Sequence, residues 1–204
     1  MVRADVRIFT VGVVNFTVRL LFAGVLLSTV VLYAEANAIE IAFLSDAGAS
    51  GIVMAVGVVF SSVTTVIVGS VSDRLSNRAL LTLPALAVFG CGFRLLALVP
   101  TLPSTLAGVA LVGIGVGGTN PPLLAFLGDI SPADDTGKLG GVYNVFGDLG
   151  STLGPLVALP LAARIGLSAE YLLCAGLVVV AGVVATTALR DDAEADAAAV
   201  ASDD

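Results

Sequence analysis

Histidine and tryptophan are absent from this sequence, lysine occurs once, and there are two cysteines, Cys91 and Cys174. Without imidazoles there is no histidine-based triad and no common zinc ligand set, and two thiols cannot build a disulfide scaffold. No metal, cofactor or catalytic residue is expected; Cys91 and Cys174 read as packing residues. Charge is scarce as well. Only 12% of residues are charged, against roughly 25% in a soluble domain. The nine Lys+Arg are scattered and make no basic face, which excludes a nucleic-acid surface. The net charge is −7, and six of the sixteen acids (Asp191, Asp192, Glu194, Asp196, Asp203 and Asp204) crowd the last fourteen of 204 residues.

Apolar length takes the place of charge. Apolar residues make up 57% of the chain, and the mean hydropathy is +1.05. Six apolar blocks run over 8–32, 49–71, 79–99, 104–127, 139–162 and 167–189. Each reaches the roughly 20 residues that a helix needs to cross about 30 Å of hydrocarbon. The polar breaks between them are brief, and the blocks do not alternate as barrel strands would. The first block is too long for a cleavable signal and contains Asn15 and Arg19. The expectation is an all-α membrane protein of six transmembrane helices over residues 1–190, with 191–204 as an acidic, disordered cytoplasmic tail.

Six crossings put Arg3, Arg7, Arg74, Arg78, Lys138 and Arg190 on one face of the membrane and Arg164 on the other. The positive-inside rule then places both termini in the cytoplasm of a cell-membrane protein. Helix number and turn length also permit two three-helix units related by inversion, an arrangement common in transporters.

Polar residues inside the blocks are the candidate functional groups. Arg19 in the first helix and Asp148 in the fifth enter from the same side and lie at similar depth, so they are expected to pair or share a cavity. Asn15 stands one turn before Arg19, and Asn144 one turn before Asp148. Arg94 is nearer a helix end and can snorkel. The fourth block carries Gly108, Gly113, Gly115, Gly117 and Gly118, followed by Thr119, Asn120, Pro121 and Pro122. Small residues let helices approach or slide, and two prolines invite a break or bend. That stretch reads either as tight packing with a kink or as a flexible gate.

The stretch from Gly69 to Arg78 follows the second helix and reads Gly-Ser-Val-Ser-Asp-Arg-Leu-Ser-Asn-Arg. It resembles the cytoplasmic loop signature of the major facilitator superfamily, with matches at Gly69, Asp73, Arg74 and Arg78. Gly141, Gly150, Gly154 and Pro155 in the fifth helix are similar to the family's antiporter motif. Ala158 and Leu159 stand where its last two glycines would be. The resemblance implies a single six-helix half of a twelve-helix fold. It implies a latch role for Asp73 and a second half, a homodimer partner or a separate chain, completing a path for a small solute whose identity is open. The alternatives are a non-transporting assembly or regulatory subunit and an inactive transporter fragment. In every case the lipid bilayer is the main partner.

Overall fold

A computed structural model of the chain describes residues 2–37, 39, 46–72, 74, 81–131 and 136–200. The secondary structure of these residues is helical throughout. Helix α1 (Val2–Arg19) continues through a π-helical stretch, Leu20–Leu26, into α2 (Leu27–Ala36). Then come α3 (Asp46–Ser72), α4 (Thr82–Leu98), α5 (Leu102–Asp129), α6 (Thr136–Ile165) and α7 (Leu167–Val200). The segments Arg7–Ala36, Gly48–Ser72, Leu102–Asp129, Gly137–Ile165 and Leu167–Thr186 are long and apolar enough to cross a membrane. The remaining helix, α4, is apolar but has 17 residues. At 1.5 Å per residue it is about 25 Å long, a little short of the hydrocarbon thickness. In α7 the helical backbone runs past the apolar span into the acidic stretch, as far as Val200.

Backbone groups in hydrocarbon must be satisfied internally, and the hydroxyls follow the same rule. Thr17 bonds to the Val13 carbonyl, Thr29 to that of Val25, Thr65 to that of Ser61 and Thr119 to that of Gly115. The Pro121-Pro122 pair, which invites a break, lies inside an unbroken α5, and Pro155 and Pro160 lie inside α6. Helix α6 ends at Gly166, whose φ of +84° is left-handed backbone that glycine adopts without strain, so α7 can begin at once.

Glycine sets the packing. Helix α5 lies against α3 and α4, while α1 and its π stretch lie against α6. A Cβ on Gly113 would come within 2.3 Å of the Gly57 carbonyl oxygen, and one on Gly117 within 2.2 Å of the Ser61 carbonyl oxygen. These two glycines seat α3. On another side of α5, Cβ atoms at Gly108 and Gly115 would collide with Leu96 and Phe89 of α4. Helix α6 meets the π stretch in the same way, since a Cβ on Gly154 would lie 2.2 Å from Gly24 Cα. A Cβ on Gly150 would lie 2.4 Å from the Phe16 carbonyl oxygen. In the core Leu21, Leu26, Tyr33, Phe89, Phe93, Leu96 and Tyr171 are fully buried.

A buried aromatic knot joins α2, α4 and α7. The Tyr33 hydroxyl donates to the Leu96 carbonyl at 2.6 Å. Tyr171 and Thr29 share a hydroxyl bond of 3.0 Å, and the Tyr33 and Tyr171 rings lie 5.3 Å apart. Glu170 sits beside this knot, 1% exposed, with no hydrogen-bond partner for either carboxyl oxygen among the described residues. Its polar head is desolvated without compensation. Replacing it by an apolar chain of similar length should therefore help folding. Glu170→Met is expected to stabilise the protein by about 1–3 kcal/mol. Thermal unfolding in detergent checks this, and a lowered melting temperature would show that the carboxylate has a partner.

Candidate solute cleft

A cavity of about 200 Å³ opens between α1, α3, α5 and α6. Its polar lining comprises Asn15 and Arg19 from α1, Ser61 and Thr65 from α3, Thr119 and Asn120 from α5, and Tyr143 from α6. Val18, Phe22, Val116 and Leu123 supply its apolar surface. A second cavity, about 240 Å³, lies between α4 and α7. Apart from Cys91 and Arg94 its walls are aliphatic or glycine, so it lacks convergent polar groups. The first cleft is the better candidate for chemistry.

Tyr143 organises the cleft. Asn15 is 4% exposed and donates through Nδ2 to the Tyr143 backbone carbonyl at 2.7 Å. The Tyr143 hydroxyl donates to Asn120 Oδ1 at 2.5 Å. One residue of α6 thus ties α1 to α5, by its backbone carbonyl on one side and its hydroxyl on the other. The bonds also fix both amides. Among the described residues, no partner is seen for the Asn15 oxygen or the Asn120 NH2 group.

The structure brings Asn15, Arg19 and Asn120 into one site but leaves Asn144 and Asp148 out of it. Both of those residues are exposed on α6 and line neither cavity. The expected Arg19–Asp148 pair does not form. The residue of α6 that faces Arg19 is Gly147: a Cβ there would lie 2.9 Å from Asn15 Nδ2 and 3.3 Å from Arg19 Cγ. Asp148, one residue on, is turned about 100° around the helix. The two residues come level along their helices, and rotation about the helix keeps them apart. Arg94, expected to snorkel, is exposed at the edge of the second cavity.

Of the antiporter-like motif, Gly150 and Gly154 sit in the tight contact with α1, while Gly141 is exposed and has open space where a Cβ would be. In the loop signature, a Cβ on Gly69 would lie 4.0 Å from Pro121 Cβ, and Arg74 is exposed. Asp73 and Arg78 lie outside the described residues. Tyr143 and Glu170 were not singled out in the sequence. Tyr143 does carry a signal: it lies one helical turn before Gly147, on the face that the glycine keeps open.

A sequence profile of the Major Facilitator Superfamily matches residues 8–204. The chain belongs to this superfamily, as a multi-pass membrane protein. Solved structures of a peptide transporter, POT, share the fold. A variant of that transporter in complex with sulfate aligns with a TM-score of 0.77 at 18% identity, covering 88% of this chain and 37% of its own. The same variant in complex with alafosfalin gives the same values. POT in complex with sulfate gives 0.76 at 18%, over 89% and 37%. The chain therefore spans about 37% of the length of the transporters it resembles.

Proposed function

We propose that the chain forms one six-helix wall of an alternating-access transporter in the cell membrane, with a second six-helix half closing a path for a small solute over the Asn15–Arg19–Asn120–Tyr143 cleft. One observation carries this reading. Arg19 and Asp148 are about 18 Å and 16 Å along their apolar spans, yet both are exposed and neither has an ion-pair partner among the described residues. Lipid tails do not accept such groups, whereas a water-filled path between two halves does. The contact pattern supports the inverted-repeat arrangement of six crossings. Helix α3 packs on α5 as α6 packs on α1, α4 packs on α5 as α7 packs on α1, and the α4–α7 contact maps onto itself. The charge bias supports cytoplasmic termini, with Asp73 as a latch on that face.

Native mass spectrometry from mild detergent tests the pairing. The expected particle contains two copies of the chain, or one copy with a second helical chain. A tag at residue 204 should be reached by protease only in inside-out vesicles. A lone monomer throughout would favour the non-transporting subunit, and a tag reached from outside would remove the even number of crossings.

A further inference from the structure

We infer that the cleft takes its solute by an anionic group, a carboxylate or phosphate, with Arg19 as the anchoring charge and the Asn120 amide as a second donor. The inference rests on the cleft being the solute site. Its grounds are the charge and hydrogen-bond balance of the lining. Arg19 brings a guanidinium, and among the described residues no acid lines the cavity to neutralise it. The only other charge in the middle of a neighbouring helix, Asp148, is turned away by one residue. Most of the remaining polar groups have committed partners. The Tyr143 hydroxyl hydrogen goes to Asn120, one Asn15 amide hydrogen goes to the Tyr143 carbonyl, and the Thr65 and Thr119 hydroxyls bond to their own helices.

What is left on the lining residues is the Arg19 guanidinium and the Asn120 NH2 as donors, beside the Asn15 oxygen and the Ser61 hydroxyl. The guanidinium offers five N–H groups in a planar fork, and Asn120 offers its NH2. An ionised carboxylate or phosphate is an acceptor and meets such a fork with two parallel bonds. A cationic solute would add a second positive charge, and a neutral one would leave the guanidinium's charge unmatched. The Arg19 stem packs over Gly147, where a Cβ would lie 3.3 Å from Cγ, so the base of the side chain is held. A volume of about 200 Å³ equals roughly seven waters at about 30 Å³ each. That is enough for an anionic head group and a few further atoms.

The test is thermal unfolding of the full chain, with whatever partner it retains on purification. The titrants are sodium acetate and sodium phosphate, with sodium chloride and choline chloride as controls at equal ionic strength. Acetate, phosphate or both should raise the melting temperature in a saturable way, and the two arms separate the kinds of anion. Arg19→Gln should weaken the apparent affinity about ten- to a hundredfold. Arg19→Lys, which keeps the charge without the fork, should fall between the two. No saturable protection by either anion, equal protection by choline chloride, or undiminished protection in Arg19→Gln would each overturn the anion site. Radiolabelled acetate and phosphate uptake into vesicles is measured separately. Arg19-dependent protection without uptake would leave the anion site standing and count against the transport reading. Uptake of a cationic or neutral solute without anion protection would do the reverse.

Discussion

Gly113→Leu should almost abolish the folded protein, while Gly176→Leu, in another apolar helix, should leave folded yield close to the starting level. Adding a first side-chain carbon at Gly113 already puts it 2.3 Å from a backbone oxygen of α3, and Gly117 repeats the contact one turn on. A backbone oxygen cannot rotate away as the end of a side chain can, so α3 and α5 must separate along their shared length. Ordinary overpacking costs about 1–3 kcal/mol. Loss of a whole helix–helix contact belongs with the exceptional losses above about 4 kcal/mol. Gly176 has nothing within 4 Å of the added position. Monodisperse yield on size exclusion in detergent, with the two variants side by side, decides the matter. Equal yields would mean that the glycines of α5 are spacers along which the helices slide, as in the gate reading of that stretch.

The second large effect concerns Arg19 and Asp148. Neither supports the other, so Arg19→Gln and Asp148→Asn should each leave folded yield within about twofold. Their effects should add, with a coupling of less than about 0.5 kcal/mol. On the proposed pairing with a second half, solute uptake should nevertheless fall about tenfold or more in Arg19→Gln, because the charge facing the cleft is gone. The four members of the double-mutant cycle, measured for yield and for uptake, separate these outcomes. A coupling above 1 kcal/mol in yield would mean that the two charges meet after all, and so would a double variant that rescues the single ones.

The contrast between these two predictions shows what could be read without coordinates. Apolar length is local: about 20 residues span the hydrocarbon whatever they pack against, so the helices were legible in composition and spacing. The short α4, with 17 residues, is where that reading was least sharp. The Gly69–Arg78 signature is contiguous in the chain and needed no fold to be noticed. The positions of Arg19 and Asp148 along their helices were also legible, because they depend only on the count of residues from a helix end.

Rotation about each helix axis is not local. It follows from which small residues let a neighbour approach: Gly24 against Gly154, Gly57 against Gly113, Gly147 under Arg19. Those pairings join residues far apart in the chain, and glycine's abundance along α5 and α6 leaves several registers equally plausible on paper. Only the assembled bundle decided that Gly147 and not Asp148 faces Arg19. It also decided that Tyr143 bridges Asn15 and Asn120, and that Glu170 is buried beside Tyr171. The sequence by itself determined a membrane chain of apolar helices with charges in the middle of two of them. The tertiary structure decided which of those charges lines a cleft, because one residue along a helix is about 100° around it.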